Sequence, residues 1–338
     1  MKIIGVDIGG ANTKITEIEE NGKHSIKHIY LPMWKENHRL TEVLKNNCPE
    51  SDFKVALVMT AELADSYATK EEGVIAILDA VLEAYADKIP VENIAVFDTE
   101  GNFISVEEAK NNHMRVSASN WRATAEFIKE IDENCVFVDM GSTTTDIIPI
   151  KNGKVLANDN DLERLMNNEL LYVGTLRTPL SFLANQINFR GTLSNVSSEY
   201  FAITGDVSII MNKISESDYT CETADGKSTS VDDSLIRISK VLCADLNQIS
   251  KEEGIQIAKE YYEVWKKLID NNVSAVSSKY GLSNVIITGL GEKILTDTLE
   301  SKYNIKSITE LYDKDVSLAT PSYAVAKIMY NEFQKCKN

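Results

Sequence analysis

Two short stretches carry residues suited to holding a phosphate: DIGGANTK at 7–14 and DMGSTTTD at 139–146. Aligned on Asp7 and Asp139, one constant offset pairs Gly9 with Gly141, Gly10 with Ser142, Thr13 with Thr145 and Ile15 with Ile147. Each copy ends an apolar run in Asp, turns through small residues, offers hydroxyl or amide side chains and returns to an apolar alternation. Consecutive N–H groups in such a turn form a concavity for an anion, and glycine lets the anion approach the backbone closely. Asn12, Thr13, Ser142, Thr143 and Thr144 add polar side chains. Asp7 and Asp139 at the strand ends suit Mg²⁺, its waters or the orientation of a nucleophile. Turn residues alone need not recur in register, so two unrelated hairpins are the poorer account. The copies differ at their last residue. Lys14, a point charge suited to phosphate, stands where the second copy has Asp146, a third carboxylate for Mg²⁺.

The elements that position these residues read as alternating strands and helices. KIIGVDI, TKITEIEE, SIKHIYL, FKVALVM and NIAVFD are strands, the third following a turn at Asn21-Gly22. KEEGVIAILDAVLEAYADK is an amphipathic helix with Val74, Ile77, Leu78, Val81, Leu82 and Tyr85 on one face. NWRATAEFIKEI is a helix leading to a new strand at Cys135, which turns and returns toward Asn152-Gly153. Residues 160–230 are rich in Asn, Ser, Thr and Asp and read as loops and short helices. A helix capped by Ser230 and Asp233 follows, then a long helix from Glu252 to Tyr280. NVIITGLG brings Gly289 and Gly291 between a strand and a helix, and SYAVAKIMYNEF is the last helix. This alternation predicts an α/β fold with a largely parallel sheet and antiparallel edges at the hairpins. The division expected is 1–134 with the first hairpin, and 135–338 with the second hairpin, a helical insert at about 160–250 and the late glycine loop.

Composition narrows the partners. Against 35 basic residues stand 51 acidic ones, a net charge of −16. Such a surface argues against nucleic acid and anionic membranes and favours small-molecule substrates. The apolar run before Asp7 is too short for a signal peptide, and no stretch has membrane length, so a soluble, cytoplasmic protein is expected. Cys48, Cys135, Cys221, Cys243 and Cys336 form no C-x-x-C pair, and the four histidines form no H-E-x-x-H. Reduced thiols and no zinc site are therefore expected. Self-association stays open.

Hairpin, second hairpin and late TGLG loop, in that order, resemble the actin, sugar-kinase and heat-shock-70 superfamily over nearly the whole chain. The resemblance implies two duplicated actin-like, ribonuclease-H-like lobes flanking a cleft, with Gly289 and Gly291 in a third ligand loop. VDMGSTTTDI and VMTAELADSY are similar to the hydantoinase and oxoprolinase branch, which has Asp where this chain has Lys14. DIGGANTK, ASNWRATA, LRTPL and TADGKS resemble that branch's small archaeal and methylotroph members, the methanofuran-biosynthesis group. That resemblance implies a transferase joining [5-(aminomethyl)furan-3-yl]methyl diphosphate to the phenolic oxygen of γ-glutamyltyramine, forming an ether and releasing diphosphate. Mg²⁺ is then expected and ATP is not required. Lys14 would stabilise charge on the leaving group. Arg122 and Arg177 are candidates for phosphate or carboxylate recognition, or surface ion pairs. Asn120 and Trp121 either line the acceptor pocket or, for Trp121, join the core. A phenol's pKa near 10 makes a general base useful, and Asp7, Asp139, Glu62 and Asp65 remain alternatives. Two other functions stay open: an ATP-dependent kinase or hydantoinase-like enzyme, and a nucleotide-binding actin-like protein without turnover.

Overall fold

The computed structural model describes residues 1–335, so Cys336 lies outside the described residues. They form two compact units: 1–134 with 150–166 and 312–335, and 135–149 with 167–311. The expected break at 134/135 therefore coincides with a change of unit. The expected assignment of everything beyond it to one lobe differs from what is found.

In the first unit β1 (Lys2–Ile8), β2 (Asn12–Ile18), β3 (His24–Tyr30), β4 (Phe53–Met59), β5 (Ile94–Phe97) and β6 (Phe103–Ser105) form one sheet in the order β3-β2-β1-β4-β5-β6. β1, β4 and β5 run parallel, while β2, β3 and β6 pair antiparallel. β1 and β4 are nearly continuous apolar runs because both faces are covered. The C-terminal helix Thr320–Lys335 covers one face, and this is why the chain's end belongs to the first unit. It comes so close that a Cβ on Gly5 would lie 2.0 Å from the Ser322 carbonyl oxygen. The buried hydroxyls of Thr16 and Ser322 meet at 2.8 Å. The helix Lys70–Tyr85 starts at Thr69, whose hydroxyl accepts from the Glu72 amide at 3.1 Å. It buries Val74, Ile77, Leu78, Val81 and Tyr85, with Leu82 only half-buried at the margin.

In the second unit β7 (Cys135–Met140) and β8 (Thr145–Lys151) form the hairpin. β8 also pairs with the two-residue strand β10 (Leu170–Leu171), while its last residues, Ile150 and Lys151, fall in the first unit and pair there with β9 (Lys154–Val155). After the hairpin β11 (Gln186–Phe189) and β12 (Thr192–Asn195) come β13 (Asn284–Thr288) and β14 (Asn304–Ser307). The main sheet runs β10-β8-β7-β13-β14, with β7, β13 and β14 parallel. Each unit thus feeds one antiparallel hairpin into parallel strands. The long helix Lys251–Tyr280 buries Tyr261 and Trp265. Ser250 and Glu253 close a reciprocal capping box at its start, and Gly281 ends it at φ 65°. At the helix Val231–Lys240 the expected box is half made. Ser230 accepts from the Asp233 amide at 3.2 Å, but the Asp233 carboxylate binds the Ser228 hydroxyl instead.

The region expected to be a helical insert contains the β11–β12 hairpin. Its turn is Arg190-Gly191 at φ 51° and 77°, a left-handed pair for which Asn-Gly is the usual signal. Arg190 gives Glu253 a 2.7 Å hydrogen bond and the Gln248 carbonyl one of 3.0 Å, which offsets the cost of its backbone angle.

Candidate functional site

The turn of the first hairpin closes with Gly9 N–H donating to the Asn12 carbonyl at 3.0 Å. The amides of Met33 and Leu31 donate to the carbonyls of Gly10 and Ala11 at 2.9 and 3.1 Å. Those bonds hold the turn by its oxygens. Among the described residues no acceptor faces the amides of Gly10 and Ala11. A Cβ on Gly9 would lie 2.9 Å from the Asn12 oxygen, so the tight turn demands that glycine, whereas Gly10 faces open space. Thr13 is fully buried and its hydroxyl has no partner among the described residues.

Asp7 and Lys14 stand directly opposite on β1 and β2, and His28 is opposite Lys14 on β3. The Lys14 Nζ is 4.0 Å from Asp7 Oδ2, with Asp7 almost wholly buried. Desolvation, with the Lys14 charge beside it, holds His28 below its ordinary pKa. This row is a cation flanked by a carboxylate and an imidazole.

The second hairpin repeats the closure: Gly141 N–H donates to the Thr144 carbonyl at 3.0 Å. Here the strap is LRTPL and the residue before it. Thr175 donates to the Gly141 carbonyl at 2.9 Å, and Leu176 and Arg177 both donate to the Ser142 carbonyl at 3.1 Å. The amides of Ser142 and Thr143 likewise face no acceptor among the described residues. Arg177 enters this site through its backbone. Gly174, which sequence reasoning passed over, is obligatory: its Cβ would lie 2.5 Å from Thr143 backbone atoms. Its only signal was a glycine two residues before LRTPL begins. The Thr145 hydroxyl donates to the Val173 carbonyl at 2.7 Å, unlike its counterpart Thr13.

Asp139 and Asp146 are half-buried on β7 and β8 of the same unit. β13 brings Thr288 beside Asp139, and Gly289 at φ 92° leaves no room for a Cβ, which would meet Asp139 Oδ1 at 2.5 Å. Gly291 is pressed against the Met140 side chain and donates its N–H to the Met140 carbonyl at 2.9 Å. Packing against the hairpin therefore explains both glycines of the late loop.

The remaining candidates lie in the first unit. Asp65 is exposed. Asn120 is the first residue of its helix, and its side chain accepts from the Trp121 amide at 2.7 Å. The Arg122 guanidinium is engaged by Glu126 at 2.8 and 3.0 Å and by the Thr99 carbonyl at 3.1 Å. Glu62 is 1% exposed, and burial pushes its carboxyl up to about 7. Trp121 is buried under Arg164, whose guanidinium carbon sits 4.5 Å above the ring centroid. Arg164, itself buried, gave no sequence signal because Asp161 and Glu163 beside it make the segment read as a solvated helix face.

Each of the two α/β units carries a glycine-turn hairpin at the head of parallel strands. The hydantoinase/oxoprolinase family profile matches residues 54–332, and the chain belongs to that family. Over 334 residues it is 57% identical to a Methanocaldococcus jannaschii protein named (4-{4-[2-(gamma-L-glutamylamino)ethyl]phenoxymethyl}furan-2-yl)methanamine synthase, covering 98% of this chain and 99% of that one. A Methanococcus vannielii protein of the same name is 63% identical over 214 residues, 62% of this chain and 96% of that one. Among solved structures, nucleotide-free acetone carboxylase shares the fold with a TM-score of 0.52 at 10% identity, covering 96% of this chain and 70% of that one. No helix among the described residues is long and apolar enough to cross a membrane.

Proposed function

We propose that this chain is a (4-{4-[2-(γ-L-glutamylamino)ethyl]phenoxymethyl}furan-2-yl)methanamine synthase. It joins [5-(aminomethyl)furan-3-yl]methyl diphosphate to the phenolic oxygen of γ-glutamyltyramine and releases diphosphate. The observation that carries this reading is identity of 57% over 98% of the chain with a protein of that name. The hairpins suit the chemistry. Both turns have amides without a protein acceptor, as an oxygen-rich anion requires. Lys14, on the same hairpin as one such turn, supplies positive charge toward oxygens that become more negative as the C–O bond breaks. The carbon keeps no electrons from that bond; the phenolic oxygen supplies the new pair.

Mg²⁺ belongs to this proposal. Among the described residues no three His, Cys, Asp or Glu side chains converge on a metal position. Mg²⁺ commonly uses one or two carboxylates and fills its shell with water and substrate phosphate, so Asp7, and Asp139 with Asp146, fit the ion in that role. When bound it neutralises charge on the leaving diphosphate.

The test is direct. The purified protein is incubated with Mg²⁺ and the two substrates, following ether by mass and diphosphate by enzymatic assay, with ATP in a parallel reaction. Ether and diphosphate in equal amounts are expected. ATP hydrolysis without ether would overturn the reading in favour of a kinase or hydantoinase-like activity.

A further inference from the structure

Three buried polar side-chain atoms in the first unit have no hydrogen-bond partner among the described residues: Glu62 Oε2, Ser119 Oγ and Trp121 Nε1. Glu62 is faced by the amide of Ala118, which precedes Ser119 and holds a left-handed φ of 51°. Trp121 stacks under Arg164, Arg164 bonds Asp161 at 3.2 Å, and the Asp161 charge acts back on Glu62. Each of the three residues is at most 2% exposed. Leaving a buried polar atom unpaired costs more than a typical hydrogen bond contributes, so three together call for an occupant.

The backbone fixes this cluster with some force. A Cβ on Gly73 would lie 2.2 Å from the Glu62 carbonyl oxygen, so the helix Lys70–Tyr85 is seated against Glu62 itself. Glu62 also lies just beyond the C-terminal end of β4, where the Thr60 amide donates to the Ile8 carbonyl at 2.9 Å. Ile8 adjoins the Gly9 turn, and in parallel sheets this end of the strands is where ligands bind. The next residue, Leu63, is 62% exposed.

We infer that this cluster is the seat of the phenol acceptor, with Glu62 as the group that receives the phenolic proton. The inference rests on the proposed ether synthesis. An unpaired carboxylate oxygen accepts the hydroxyl hydrogen, and an indole N–H and a serine hydroxyl complete a polar rim around an aromatic ring. In the step itself the furan-methyl carbon loses its oxygen bond to diphosphate, which leaves with the electron pair. The phenolic oxygen bonds that carbon, and its proton passes to the Glu62 carboxylate. The charged groups around Glu62 are Lys70 at the start of the neighbouring helix and Asp161 with Arg164 on the helix Asp161–Met166.

The experiment measures ether formation with γ-glutamyltyramine and with ring-fluorinated analogues of lower phenol pKa. In the unaltered protein kcat is expected to rise with pH through about 7, as Glu62 ionises. Glu62→Gln is expected to lower kcat about 100-fold, to abolish that limb and to leave the KM for the diphosphate substrate unchanged. The fluorinated acceptors should recover most of the loss. Ser119→Ala and Trp121→Phe should raise the KM for the acceptor alone, several-fold each. Ether formation indifferent to Glu62→Gln, with the same pH profile, would overturn the inference while leaving the functional reading intact. A flat pH profile and no response to fluorination in the unaltered protein would overturn it even if Glu62→Gln failed to fold. No ether from the unaltered protein would remove both.

Discussion

The two units repeat one hairpin and close it with the same hydrogen bond, Gly9 to Asn12 and Gly141 to Thr144, yet they bury their carboxylates in opposite ways. In the second unit Asp206 is fully buried and saturated: Arg237 meets it at 2.7 and 2.8 Å, the Tyr219 hydroxyl at 3.0 Å and the Ile203 amide at 3.0 Å. In the first unit Glu62 is as deeply buried and one of its oxygens has no partner. The saturated carboxylate is a joint that holds TADGKS, through Arg237 to Asp225 at 3.0 Å and the Ser228 carbonyl at 3.1 Å. The unsaturated one carries a cost that packing alone does not repay. One arrangement is a fastener and the other is the proposed acceptor site.

The largest effect expected from breaking this contrast is structural. Arg237→Ala strands the Asp206 charge without its cation and should cost about 3–5 kcal/mol of stability, read as a shift in the urea midpoint. A loss under 1 kcal/mol would mean that Asp206 is no joint, and the comparison would fail on that side.

Next comes the difference between the hairpins themselves. Lys14 stands over Asp7 at 4.0 Å, while the second hairpin has Asp146 in the corresponding position. Lys14→Ala should lower kcat/KM for the diphosphate substrate about 10²–10³-fold with little change in the melting temperature. Unaltered kinetics would make the two hairpins equivalent and remove Lys14 from the chemistry.

Burial raises the carboxyl pKa of both Glu62 and Asp206, but only Asp206 has a buried cation against it. Its folded pKa is raised from 4.5 to about 7, so between those values the folded chain keeps a proton that the unfolded chain releases. Stability therefore falls as pH rises across that window and stays lower above it. Glu62→Gln, which cannot ionise, should be more stable than the unaltered protein at pH 8, by on the order of 3 kcal/mol, and equal to it near pH 4. Chemical unfolding at the two pH values reads this. A destabilised variant at pH 8 would show that the ionised Glu62 is as well served as Asp206.

Much of this was legible in the residues. FKVALVM is the strand β4 to the residue, and the gapless register of the two Asp-Gly stretches reappears as the same turn bond. Periodicity and turn chemistry are local, and local signals survive without a fold. What stayed hidden was non-local. The return of the last helix to the first unit depends on Gly5 admitting the Ser322 carbonyl, a contact over three hundred residues apart in sequence. Arg164 looks solvated in sequence because nothing local announces Trp121 beneath it. Gly174 is forced by Thr143, and Gly289 and Gly291 by Asp139 and Met140. Gly289 and Gly291 read as a ligand loop until those packing neighbours are known, and Gly174 gave no reading at all.

The smallest prediction separates ligand from packing at Gly10, a site glycine that packing does not explain. At Gly10 an added Cβ meets nothing within 4 Å, and the aligned position already carries Ser142. Gly9 has no such freedom, because a Cβ there sits 2.9 Å from the Asn12 oxygen. Gly10→Ser should therefore leave stability within about 0.5 kcal/mol. If the open space is where phosphate oxygens approach the Gly10 and Ala11 amides, the added hydroxymethyl group intrudes on them. The KM for the diphosphate substrate should then rise roughly threefold, under 1 kcal/mol of binding. The reverse exchange, Ser142→Gly, removes a hydroxyl without opening new room and should change KM less. Equal and negligible effects in both would mean that the two turns are interchangeable scaffolding, and that the asymmetry of the hairpins begins only at Lys14.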